Sequence, residues 1–130
     1  MGVLARLFGA EQDSDEMVGL RRYRHLLGAA PIESIEQAHA EAFADLDEAQ
    51  RAAIYEELSR GTGTGERPLS SESATLARSA SRAERRVLGS LERTLRAADD
   101  RGGFDGTLVG PVVDHVVDSP LVSAFLPWNG

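Results

Sequence analysis

SESATLARSASRAERRVLGSLERTLRAA, residues 71–98, is the stretch whose reading decides the fold. Leu76, Ala80, Ala83, Val87, Leu91, Thr94, Leu95 and Ala98 keep one helical phase at about 100° per residue, and Arg78, Arg82, Arg85, Arg86, Arg93 and Arg96 keep the opposite one. A phase held that long predicts one long amphipathic helix over about 71–98, apolar on one flank and cationic on the other. Gly89 weakens such a helix by about 1 kcal/mol relative to Ala, and Ser81 offers another place for a break.

Beyond this stretch, Asp99 and Asp100 oppose the negative end of the helix dipole, and Gly102 with Gly103 ends the element. Leu108, Val109, Val112, Val113, Val116 and Val117 then recur in pairs every four residues, which is helical spacing. Pro111 suits the first position of that helix, and Pro120, capped by Ser119, the first position of another. On the other side, GTGTGERP (Gly61 to Pro68) follows a helical pattern, whereas a phosphate-binding glycine loop follows a strand, so residues 61–70 read as a flexible Gly/Thr linker.

Residues 1–60 read as an N-terminal helical hairpin region. Met17, Leu20, Tyr23, Leu26 and Leu27 form a first helix that Gly28 and Pro31 stop. Ser34 with Gln37 has the spacing of a capping box and opens a second helix, whose arc holds Ile35, Ala38, His39, Ala42, Phe43 and Leu46. Asp47 with Gln50 repeats the signature, so a third helix follows at a corner between Leu46 and Asp47, and Arg51 enters its apolar arc. No stretch alternates with period two for long. The expectation is an all-α, single-domain bundle of four to six helices, with residues 71–130 supplying the long helix and short C-terminal helices.

Composition excludes several chemistries. The 130 residues contain no cysteine, which removes disulfides, thiolate nucleophiles and cysteine-bound metals. All 14 basic residues are arginine, so neither a P-loop lysine nor a Schiff-base amine exists. The net charge of −7 argues against a nucleic-acid partner. Charge is uneven: residues 1–60 hold twelve acids and six arginines, residues 61–100 six acids and seven arginines. The opening MGVLARLFGAEQDSDE lacks the length of a secretory core, and no window has the roughly 18 apolar residues of a membrane span. A cytoplasmic protein without a cofactor is expected.

Two groups are candidate metal ligands. Glu36 and His39 have the Glu-x-x-His spacing of carboxylate-bridged di-iron bundles, but such a site needs a second pair on a facing helix and the sequence has none, leaving a homo-oligomer to supply it. Asp114, His115 and Asp118 share the polar side of the valine-rich helix, where two carboxylates and an imidazole could hold a divalent ion loosely. A core histidine and a solvated face are the plainer accounts of the two groups.

No serine sits in a Gly-x-Ser-x-Gly elbow, and no other catalytic motif is present, so a non-enzymatic role is expected. The arginine flank (Arg78, Arg82, Arg85, Arg86, Arg93, Arg96) points to a protein partner with an acidic surface, or to internal balance by the acidic first half. Phe125 and Trp128, in the tail LVSAFLPWNG, are candidates for an apolar contact with this chain or another. Attachment to a membrane surface through apolar ends is the third alternative.

The run RYRHLLGAAPIESIEQAHAEAFADLDEAQRAAIYEELS resembles a group of small helical proteins from high-GC actinobacteria, some of which carry the label cation-transporting ATPase. The match rests on Arg22-Tyr23-Arg24, Glu36-Gln37-Ala38-His39 and Leu46 through Arg51, within roughly residues 20–60. It implies no established activity. The ATPase label requires membrane spans and a phosphorylatable aspartate followed by lysine, and the chain has neither.

Overall fold

The computed structural model describes residues 15–61 and 67–127, and the described residues form six α-helices, one 3₁₀ turn and no strand. The helices are α1 (Asp15–Ala29), α2 (Ile32–Ala44), α3 (Glu48–Gly61), α4 (Ser73–Arg86), α5 (Ser90–Gly102) and α6 (Val109–Asp118), followed by the 3₁₀ turn Ser123–Phe125. The expected all-α bundle is what the chain adopts. Half of the Gly/Thr linker, residues 62–66, lies outside the described residues.

The single long helix expected over 71–98 is instead two helices, and the chemistry of the break is local. Val87 leaves α4 in an extended conformation (φ −138°, ψ 105°), and Gly89 turns left-handed (φ 91°), a conformation that costs an L side chain about 1–2 kcal/mol. Glu84 holds the turn. Its carboxylate, 5% exposed, accepts the Gly89 N–H at 3.1 and 3.0 Å and the Leu91 N–H at 2.9 Å, so a side chain of α4 satisfies free amides that open α5. Periodicity misses the interruption because both helices face the same core, with Leu76 and Ala80 buried on one side of the break and Leu91 and Leu95 on the other. Val87, which the continuous phase would bury, is 56% exposed and Leu88 is 74% exposed. The helix passes unbroken through Ser81.

The same device opens α6. α5 ends in a Schellman motif, with Gly103 left-handed (φ 70°), the Phe104 N–H bonded to the Asp99 carbonyl at 3.0 Å and the Gly103 N–H to the Asp100 carbonyl at 3.2 Å. The Phe104 ring folds back so closely that it leaves no room for a Cβ on Gly102. Asp99, unfavourable at a helix end in the sequence, turns its carboxylate forward to accept the N–H groups of Gly106 (2.7 Å), Leu108 (3.0 Å) and Val109 (2.9 Å). Burial pushes its pKa up, but those three amides outweigh it and hold the carboxyl below the ordinary aspartate value. α6 begins two residues before Pro111, which still lies in the first turn where its missing N–H leaves no partner unmet. Pro120 opens a turn rather than a helix, and the Ser119 hydroxyl accepts the Leu121 N–H at 3.2 Å.

In the first half, the corner between α2 and α3 forms as expected. The Asp47 N–H donates to the Gln50 side-chain oxygen at 3.0 Å and the Gln50 N–H to the Asp47 carboxylate at 2.8 Å, a complete capping box. Arg51 answers its apolar surroundings by donating to the carbonyls of Phe43 (3.4 Å) and Leu46 at the end of α2. The Ser34/Gln37 box does not form. Pro31, with φ near −61°, already fixes the entry, so α2 starts at Ile32 and Gln37 reaches Glu41 instead.

α4 packs on α2, α5 on α3, and α6 on both α1 and α2. Tyr23, Leu26, Phe43, Ile54, Leu58, Leu76, Leu91, Leu95 and Val112 form the shared core, each at most 1% exposed. Replacing Asp99 by Ala is expected to lower unfolding free energy by about 2 kcal/mol or more, and Glu84 by Ala by about 1–3 kcal/mol, because each leaves partly buried amides without an acceptor. Urea unfolding with an unchanged m-value measures both, and losses below about 0.5 kcal/mol would show the caps to be ornamental to the fold.

Candidate partner-binding face

The break divides the arginine flank. Arg78, Arg82 and Arg85 remain together on the exposed side of α4, at spacings of four and three residues, opposite buried Leu76, Ala77 and Ala80. Arg78 Nε lies 3.6 Å from Glu36 of α2, while Arg67, Arg82 and Arg85 make no ion pair among the described residues. Arg86 is also exposed, next to the turn. Below them a cavity of about 340 Å³ is lined by Arg67, Pro68, Leu69, Thr75, Arg78, Ser79 and Arg82. Pro68 is buried, and Leu69 stands 95% exposed at the lip.

The two flank arginines that fall on α5 do different work from those of α4. Arg93 folds over the turn, with Nη1 3.0 Å from where a Cβ on Gly89 would lie. Arg96 donates to Glu92 at 2.9 Å, and Arg24 of α1 grips the same carboxylate through both oxygens at 2.7 and 2.8 Å. Bonds from Arg24, opposed by partial burial and joined by Arg96, hold the Glu92 carboxyl at about 2. This cluster ties α1 to α5. The expected six-arginine flank is therefore corrected to an α4 face, with Arg93 at the turn and Arg96 inside a structural ion network.

Glu36 and His39 are not brought together. His39 is fully buried, with its ring 5.6 Å from that of Tyr23 and 5.9 Å from that of Phe43. The Ile35 carbonyl, 2.7 Å from Nδ1, can only accept, so Nδ1 carries the proton and Nε2 receives the Tyr23 hydroxyl at 2.8 Å. Both nitrogens are thereby engaged, while Glu36 faces outward beside Arg78. Burial lowers the His39 pKa to about 4, the carbonyl bond opposing it, and burial with the nearby Glu84 and Glu92 charges raises that of Tyr23.

Asp114, His115 and Asp118 border a second cavity, of about 480 Å³, shared with Glu41. His115 turns toward α2, with Nδ1 3.4 Å from Asp45 and Nε2 3.8 Å from Glu41, and among the described residues no three His, Asp or Glu side chains converge as metal ligands. In the tail, Val122 is buried, Leu126 packs on the core and the Phe125 carbonyl accepts from His25 Nε2 at 3.1 Å, so the segment docks on its own chain and leaves the Phe125 ring half-exposed. Trp128 lies outside the described residues, and among the described residues no helix is long and apolar enough to cross a membrane. No family model, curated protein or solved structure matches the chain.

Arg67, Leu69, Thr75 and Ser79 were not legible as part of this face from periodicity. Thr75 and Ser79 do share the helical stripe of Arg78 and Arg82, and that spacing is the available signal. His39 supplies a pH prediction. It stays neutral in the fold down to about pH 4 while the unfolded chain protonates near 6.5, so its contribution is complete above 6.5 and is lost as pH falls from 6.5 to 4, by about 3 kcal/mol. Chemical denaturation between pH 7 and 5 should show this slope, and a His39→Leu variant should flatten it. Glu92 and Asp99, whose pKa values are depressed, withdraw their contributions only below the ordinary carboxylate range.

Proposed function

We propose that this protein is a non-catalytic association module that engages an acidic protein partner through the exposed face of α4. The observation that carries this is the grouping of Arg78, Arg82 and Arg85 on one helix side, with Arg82 and Arg85 unpaired among the described residues. Like charges three and four residues apart disfavour a helix by a few tenths of a kcal/mol per pair, about 0.2–0.5, and an acidic surface relieves that repulsion. Concentrating cations on one face of a chain with net charge −7 also orients an encounter, since the rest of the surface repels the same partner.

A nucleic acid fits this electrostatic balance less well, because backbone phosphates would meet the acidic remainder of the surface. Arginine suits a carboxylate-bearing protein surface because its planar fork donates two parallel bonds to each carboxylate.

The test uses a synthetic peptide of alternating glutamate and leucine, with binding followed by fluorescence anisotropy at low and at physiological salt. Three exposed pairs at about 0.5 kcal/mol each amount to about tenfold in affinity, so Arg78, Arg82 and Arg85 replaced together by glutamine should weaken binding by about that factor. Circular dichroism should be unchanged, and Arg93→Gln should bind as the parent does. Equal binding by the triple variant removes the proposal.

A further inference from the structure

The cavity beside α4 has a chemical character more specific than a basic surface. Three guanidinium-bearing residues reach it from two segments, Arg67 from the chain entering α4 and Arg78 and Arg82 from the helix itself. Thr75 and Ser79 line it too, and among the described residues no carboxylate does. Arg67 and Arg82 have no ion pair among the described residues, and the Glu36 carboxylate beside Arg78 stands off at 3.6 Å.

We propose that this cavity is a phosphate-reading subsite, which accepts a phosphorylated serine or threonine of the acidic partner. The inference rests on the proposed association through α4 and names what that face recognises. A carboxylate brings one charge and two oxygens to three cations. A phosphomonoester brings about −1.5 to −2 and three acceptor oxygens, enough to engage more than one arginine fork at once. The cavity volume, about 340 Å³, falls at the small end of the roughly 300–1,000 Å³ range of ligand sites.

Buried Pro68 positions the two side chains that complete the subsite. Its ring fixes its own backbone torsion and restricts the preceding residue to extended conformations, so Arg67 and Leu69 leave an anchored stretch of chain. Leu69, almost wholly exposed at the lip, then offers an apolar contact to a residue flanking the phosphate. Leu69 thus distinguishes a phosphopeptide from free phosphate, which has nothing to place against it.

Four probes test this on the full chain: a leucine-flanked phosphoserine peptide, its serine and glutamate counterparts, and inorganic phosphate. Binding is measured by titration calorimetry, with amide shifts of Thr75, Arg78, Ser79 and Arg82 locating the site. The phosphoserine peptide should bind about tenfold or more tightly than the glutamate peptide, a gap of about 1.4 kcal/mol. Arg67→Gln and Arg82→Gln, both at exposed positions, should each erase that gap, whereas Glu36→Gln should strengthen phosphopeptide binding severalfold. Leu69→Ser should weaken the peptide and leave inorganic phosphate unchanged. Equal affinity for the phosphoserine and glutamate peptides overturns the subsite while leaving association through α4 standing. Inorganic phosphate binding as tightly as the phosphopeptide overturns the peptide as its source. Failure of every acidic peptide to bind removes the association proposal as well.

Discussion

The bonds from the Glu84 carboxylate to the Gly89 and Leu91 amides are the constraint on which the rest of the arrangement depends. A straight helix over residues 71–98 would extend about 42 Å at about 1.5 Å per residue, and could not keep its first half on α2 and its second half on α3. Bending at Val87 to Gly89 leaves the amides that open α5 without helical partners, and a buried acid one turn earlier supplies the acceptor. The turn thereby becomes a defined joint. It also decides which cations stand together, because Arg78, Arg82 and Arg85 stay on α4 while Arg96 enters the network around Glu92.

Where sequence and structure agree, the deciding interaction is local. The Asp47/Gln50 capping box joins residues three apart, and nothing nearby competes with it. The same signature at Ser34/Gln37 fails because Pro31 fixes the helix start earlier, so an identical pattern is overridden by a stiffer neighbour. His39 was readable as a core histidine from its place between Ile35 and Phe43, but its partner Tyr23, sixteen residues away, was not. The interruption at Gly89 hid for a different reason: the apolar phase resumes at Leu91 after a single turn, and a periodicity argument registers phase rather than direction. Of the candidate face, the α4 arginines were legible because they lie on one helix, whereas Arg67 and Leu69 join it across a connector whose path no spacing rule specifies.

The division of labour between charges follows from residue type. Some acids turn to structural work: Glu84 and Asp99 accept backbone N–H groups at helix starts, and Glu57 is held by Arg60 of its own helix at 2.8 Å and by Arg101 of α5 at 2.7 Å. Arginine serves the interhelical pairs because its fork can hold one carboxylate through two bonds, as Arg24 holds Glu92, and a lysine could not reproduce that geometry. Arg82 and Arg85, which make no ion pair among the described residues, carry on α4 the charge that elsewhere stitches the bundle.

The forward-reaching carboxylates have one more consequence, in the order of assembly. Glu84 closes contacts across five and seven residues, and Asp99 across seven, nine and ten. Loops that short lose little chain entropy on closing, so the two joints can be set while the amino-terminal helices are still searching. Both bends of the carboxyl-terminal half are thus defined by contacts made within residues 84–109, independently of the hairpin that precedes them in the chain.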